Sequence, residues 1–232
     1  MAKFQSHRAM TLDRGRRGLI GGLLAAAFPS AVLAAARRKP AAPKPPPPPP
    51  PPPLVTVLGD SITAGLGLSS DMAMPARLQA ALDKLSVKTR VQGFGVLGDT
   101  SAGGLSRVER VPADTAVCLV ALGGNDLLQG LDPSLTRANL RAIIQRLKER
   151  NIRVVLAGVT APALLGVDYA RRFNALYPEL AREQGVFYAP DFYTGVIGVS
   201  RFMQRDGIHP NADGARVIAE RLAPVVAQAL RS

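Results

Sequence analysis

Three side chains in this 232-residue chain are of the types that nucleophilic hydrolysis requires: Ser61, Asp206 and His209. A serine hydroxyl is a weak nucleophile until an imidazole takes its proton, and the imidazole needs a carboxylate to fix its orientation and tautomer. The chain has two histidines, and His7 lies in a basic N-terminal stretch. Any imidazole chemistry in the folded part therefore rests on His209. Asp206 precedes it by three residues in "DGIHP", close enough for a tight turn to let the acid hold the same ring. Acyl transfer also needs donors aimed at the developing oxyanion. The Ser61 N–H at a strand-to-helix turn, Gly98 in "GVLGDTS" and the Asn125 side-chain amide in "LGGND" are the candidates. Each of these residues alone has a plainer reading. Ser61 can be a helix cap, Asn125 a turn residue, and His209 a surface loop histidine.

Placement raises the functional reading above the plain one. "LVTVL" (54–58), "KTRVQGFGV" (88–96), "AVCLVAL" (116–122), "IRVVLAGV" (152–159) and "VFYAP" (186–190) read as strands. Between them come helical patterns over 71–85, 101–109, 132–151 and 169–184, and a last helix follows Asn211. In the clearest of these, 132–151, Leu135, Leu140, Ile143, Ile144 and Leu147 form the apolar side, with Pro133 in the first turn. Strands alternating with helices predict a doubly wound α/β fold, a central parallel sheet with helices on both faces. Ligands of such sheets sit at the carboxyl ends of the strands. Ser61, Gly98, Asn125 and the Asp206/His209 pair each follow a different predicted strand, as a shared site would need.

Composition narrows the alternatives. The formal net charge is +12, but nine of the 29 basic residues and one of the 17 acidic residues fall before Leu54. The tail thus carries +8 of it, and the high isoelectric point argues for no nucleic-acid partner of the domain. Cys118, the one cysteine, lies in an apolar run and reads as a buried small hydrophobe; no internal disulfide is available. One Cys and two His cannot build a standard zinc cluster.

The first 53 residues are of another kind. "RGRRGLIGGLLAAAFPSAVLAAA" has a basic start, an apolar stretch and small residues that suit cleavage after Ala34 or Ala36, so residues 1–36 are expected to be an export signal. Arg16 and Arg17 resemble a twin-arginine signal, and a general secretory signal also fits. An uncleaved membrane anchor is the rival reading, with borderline length. Residues 37–53 form a basic, proline-rich linker ending in nine consecutive prolines, Pro45 to Pro53. Such a run adopts an extended polyproline rod. The linker reads as a solvated spacer; contact of its basic residues with an anionic envelope surface is the alternative.

The blocks "GDSITAG" (59–65), "GD" (98–99), "GGND" (123–126) and "DGIHP" (206–210), in this order and at these intervals, resemble those of the SGNH hydrolases, also called the GDSL family. The resemblance covers residues 54–232 and is nearest to the bacterial periplasmic thioesterase, lysophospholipase and arylesterase branch. It implies a flavodoxin-like three-layer α/β/α sandwich and no metal or cofactor; the chain itself is expected to be a small monomer. It further implies hydrolysis of aryl, acyl or lipid-like esters and thioesters through an acyl-enzyme. Carried over by position, Ser61 is the nucleophile, His209 the base and Asp206 its orienting acid, with Ser61, Gly98 and Asn125 forming the oxyanion hole. The sequence departs from the family pattern in having no tryptophan and in placing Met74 where relatives often carry an aromatic. It departs again in the loop "TAPALLGVDYARRFN" (160–174), where Ala163, Leu164 and Leu165 either line an apolar groove or pack within the loop. A carbohydrate or peptidoglycan O-acetyl esterase is the alternative within the fold. An inactive envelope-binding module is the alternative outside it.

Overall fold

The computed structural model describes residues 48–232. The expected export signal (1–36), most of the linker (37–47) and His7 lie outside the described residues. Pro48–Pro53 is exposed and without regular secondary structure. Its last carbonyls accept hydrogen bonds from Thr89 and Arg90, Pro52 from Arg90 Nε and Pro53 from the Arg90 N–H and Thr89 Oγ1.

Five strands follow: β1 (Leu54–Gly59), β2 (Arg90–Gly95), β3 (Thr115–Ala121), β4 (Arg153–Ala157) and β5 (Phe187–Ala189). All pair in parallel, in the order β2-β1-β3-β4-β5. This is the flavodoxin-like order, and its direction reverses between β1 and β3. Every residue of β1 is buried. β3 and β4 are nearly so, because parallel strands covered on both faces need apolar side chains at every position. β2 is an edge strand, and its residues are correspondingly half-buried or exposed.

The helices are α1 (Ser61–Ala64), α2 (Met74–Lys84), α3 (Ser101–Ser106), α4 (Gly124–Leu128), α5 (Pro133–Glu149), α6 (Val167–Gln184) and α7 (Ala212–Arg231). α2 packs against α7 on one face of the sheet, while α3, α5 and α6 pack together on the other. The result is the three-layer α/β/α sandwich expected from the sequence. Cys118 is fully buried, and desolvation pushes its thiol up to about 11. Met74 is also fully buried.

Three local expectations are adjusted. The helix expected over 101–109 divides into α3 and a 3₁₀ turn at Val108–Arg110. α6 begins at Val167, two residues before the expected start, directly after Gly166. Leu135, expected on the buried side of α5, is 59% exposed. The buried stripe runs instead through Thr136, Leu140, Ile143, Ile144 and Leu147. Thr136 takes the inward position because its hydroxyl donates to the buried Asp126 carboxylate at 3.0 Å. That hydrogen bond offsets the cost of burying a polar group.

Candidate active site

β1 ends at Gly59, and Asp60 then caps α1. The Asp60 Oδ1 accepts the Ile62 N–H at 3.0 Å. The capping position is therefore occupied by Asp60, and Ser61, the first helical residue, has its hydroxyl free for other contacts. As the first residue of α1, Ser61 also has a backbone N–H with no intrahelical acceptor.

The Ser61 Oγ lies 2.9 Å from His209 Nε2, and His209 Nδ1 lies 2.6 Å from Asp206 Oδ2. The Asp206 carboxylate accepts from Nδ1–H, which leaves the Nε2 lone pair facing the Ser61 hydroxyl. A tight turn holds the acid in place. Asp206 Oδ1 accepts the Ile208 and His209 N–H groups, both at 3.0 Å, and Gly207 supplies the left-handed residue of the turn with φ 70°. These three hydrogen bonds, led by those from His209, hold the Asp206 carboxyl down to about 2. The wider loop is closed as well. The Gln204 N–H donates to the His209 carbonyl, and the Gln204 side-chain amide donates to the Leu66 and Pro210 carbonyls. This fastens the histidine loop to the segment that follows α1.

Gly98 sits in the turn after β2 with φ 74°, and a Cβ at this position would meet no protein atom within 4 Å. The glycine is required by the backbone angle, and the space over it is open to a ligand. Asn125 lies in α4, after β3. Its Nδ2 donates to the Asp99 carbonyl at 2.9 Å and approaches Asp60 Oδ2 at 3.3 Å. Ser61, Gly98, Asn125 and the Asp206/His209 pair thus each follow the carboxyl end of a strand, β1, β2, β3 and β5 respectively, and Ser61, His209 and Asp206 are in hydrogen-bond contact.

Two carboxylates escaped the sequence reading. Asp126, 1% exposed, accepts from the Ser101 N–H at 2.7 Å, the Ser101 hydroxyl at 2.5 Å and Thr136. It thereby ties the turn after β2 to the turn after β3. The adjacency of Asp126 to Asn125 in "GGND" was its only trace in the sequence. Asp60 was hidden by its ordinary place before a helix. Burial pushes its carboxyl up to about 6, against the lowering effect of the Ile62 N–H. Between the ordinary value of 3.8 and about 6, the folded protein holds a proton that the unfolded chain releases. Stability contributed by this group therefore falls as pH rises through that window. Asp60→Asn, which preserves the cap acceptor, is expected to flatten the decline between pH 4 and pH 6. The change is about 3 kcal/mol at most, by the two-unit shift. Urea unfolding of both proteins at these pH values measures it; parallel pH slopes would contradict the assignment.

Among the described residues, no three His, Cys, Asp or Glu side chains are grouped as metal ligands.

The sheet order and the serine–imidazole–carboxylate contacts at the switch point place the molecule in the class of α/β/α hydrolases with the SGNH fold. Residues 57–217 match the model of the GDSL-like Lipase/Acylhydrolase family. The chain belongs to this family and is an ester-hydrolysing enzyme. It is 40% identical over 169 residues to the "Thioesterase 1/protease 1/lysophospholipase L1" of Escherichia coli, covering 72% of this chain and 80% of that one. It is 36% identical over 172 residues to "Esterase TesA" of Pseudomonas aeruginosa, covering 73% and 86%. A crystal structure of TesA superposes with a TM-score of 0.72 at 35% identity, covering 76% of this chain and 99% of the other.

Proposed function

We propose that the protein is an exported serine hydrolase that cleaves acyl and aryl esters, thioesters and lysophospholipid-like amphiphiles through an acyl-enzyme. The observation that carries this reading is the continuous pair of hydrogen bonds from Ser61 through His209 to Asp206. His209 takes the Ser61 proton as Oγ attacks the substrate carbonyl. Asp206 stabilises the imidazolium that forms, and the Ser61 N–H, the Gly98 N–H and the Asn125 amide receive the oxyanion. His209 then returns the proton to the leaving group, and a water activated by the same ring releases the acid.

The surface around the strand ends supports a substrate with an apolar portion. Leu97, Leu128, Leu164, Leu165 and Ile208 are exposed, and they come from segments following four different strands. Leu164 is 85% exposed in a 3₁₀ turn, Ala163–Leu165. The base of this turn is pinned by Asn174, whose side chain accepts the Ala161 N–H and donates to the Ala161 carbonyl. An exposed leucine on a pinned turn fits a role in gripping an acyl chain better than packing within the loop. The basic leader at residues 1–36 supports export, and the linker at 37–53 supports a spaced position near an anionic envelope surface.

A panel of p-nitrophenyl esters from acetyl to palmitoyl tests substrate class. We expect kcat/KM to rise beyond acetyl to an optimum at a longer chain, about 15- to 60-fold above acetyl. This is the size of gain that burying two or three methylenes supplies. Activity confined to acetyl would contradict this reading and favour an O-acetyl esterase of carbohydrate or peptidoglycan.

A further inference from the structure

We propose that Arg107 is the positioning residue of the oxyanion hole, holding all three candidate donors in register through one guanidinium. The inference rests on the serine-hydrolase reading above. Arg107 lies just past α3, away from every block that marks the family in the sequence. Its Nη2 donates to the Gly59 carbonyl at 2.7 Å, its Nη1 to the Phe94 carbonyl at 2.8 Å, and its Nε to Asp99 Oδ2 at 2.5 Å. The Arg107 and Asp99 side chains are only 10% and 15% exposed.

Each contact leads to one of the donors. Gly59 ends β1 two residues before Ser61, so its carbonyl fixes the turn that presents the Ser61 N–H. Phe94 lies at the end of β2, and Asp99 immediately follows Gly98; their contacts fix both sides of the turn that carries the Gly98 N–H. The backbone carbonyl of Asp99 accepts Asn125 Nδ2 at 2.9 Å, so the same residue that binds the guanidinium through its carboxylate orients the Asn125 amide through its main chain. Arg107 thus spans the ends of β1 and β2 and reaches the turn after β3 through Asp99. A planar fork with several fixed donors can hold three acceptors in different directions, which a lysine ammonium on a flexible stem does not reproduce. Oxyanion stabilisation depends on donors set in advance, and misplacing one costs about as much as losing it, ~10²–10³ in rate. Arg107 touches neither substrate nor reacting atoms and acts through the residues it holds.

The test compares Arg107→Gln, Arg107→Lys, Asn125→Ala and the Arg107→Gln/Asn125→Ala double variant on one p-nitrophenyl ester. Arg150→Gln serves as a stability control. Arg150 likewise donates to two main-chain carbonyls, those of Val108 and Val111, but these precede β3 at the far end of the sheet. We expect Arg107→Gln to lower kcat by about 10²-fold with KM changed less than about threefold, the signature of an interaction made in the transition state. Arg107→Lys should recover little of this. In the Asn125→Ala background the Arg107→Gln loss should shrink to below about tenfold, because coupled residues are not additive. Arg150→Gln should lose thermal stability while keeping kcat within about twofold, as expected for a site remote from the chemistry.

Should the Arg107 variants fail to fold, Asp99→Asn replaces Arg107→Gln in the same cycle. It removes the ionic contact and leaves both carbonyl contacts in place. Full additivity with Asn125→Ala, an unchanged kcat, or an equal kcat loss in Arg150→Gln would overturn the proposal. Failure of the underlying reading is distinguishable: it appears as hydrolysis surviving Ser61→Ala, whatever the Arg107 variants do.

Discussion

Ser61→Ala is expected to lower kcat/KM for a p-nitrophenyl ester by about 10⁵–10⁶-fold, to the residual rate that binding and oxyanion donors alone sustain. The expectation follows from where the hydroxyl sits. Asp60 supplies the cap of α1, so Ser61 is dispensable for starting the helix. Its one hydrogen-bonded side-chain contact is His209. The substitution should consequently leave thermal stability nearly unchanged, since Ala is the better helix former at that position. An activity loss without a stability loss distinguishes a nucleophile from a structural serine. Steady-state kinetics together with a melting curve on the same preparation reads both. A variant with near-normal hydrolysis would remove Ser61 from the mechanism.

Asp206→Asn is expected to cost about 10⁴ in kcat, and the reason is tautomeric rather than electrostatic alone. Asp206 Oδ1 is held by two main-chain N–H groups, from Ile208 and His209. An asparagine would keep its carbonyl oxygen there and turn its NH₂ toward His209 Nδ1. The ring would then have to accept at Nδ1 and carry its proton on Nε2, facing Ser61 Oγ as a donor. Such a ring cannot take the serine proton. The chain contains only two histidines, so the ¹⁵N resonances of the imidazoles can be assigned in both proteins. The predicted pattern is an Nδ1–H tautomer for His209 in the natural protein and an Nε2–H tautomer in the variant. A variant that retains the Nδ1–H tautomer and most of its activity would contradict the role given to Asp206.

The layout of the fold was legible because parallel strands buried on both faces write themselves as unbroken apolar runs, as in "AVCLVAL". The residues with the most visible chemistry were legible too, since Ser61, Gly98, Asn125 and Asp206/His209 each follow a strand and match an ordered set of blocks. What stayed hidden depends on packing between distant elements. Leu135 fits the apolar period of α5 as well as Thr136 does. Only the buried Asp126, ten residues away, makes Thr136 the inward residue. Arg107 looks like one basic residue among many, because its three acceptors lie at the end of β1 and on the two sides of the turn after β2, which are joined only in the fold. Asp60 reads as punctuation before a helix. That it also lies within reach of the Asn125 amide, 65 residues along the chain, is a consequence of the strand order β2-β1-β3.

The same order explains why the site lies where it does. β1 and β3 are neighbours, and the chain leaves them toward helices on opposite faces of the sheet. The turns that follow them therefore part, and it is at such a switch point that open α/β sheets bind their ligands. The loop from Gln204 to Pro210 brings His209 to the Ser61 hydroxyl from beyond the last strand, and Asn211 caps α7 immediately afterwards by accepting the Asp213 and Gly214 N–H groups.

Labelling with a fluorophosphonate, followed by mass mapping of the modified peptide, tests the central claim most directly. The reagent reports both an activated hydroxyl and its position in the chain. The account predicts one phosphonylated residue, Ser61, with labelling lost in His209→Ala. Labelling at another serine, or equal labelling of Ser61 in the absence of the imidazole, would contradict it.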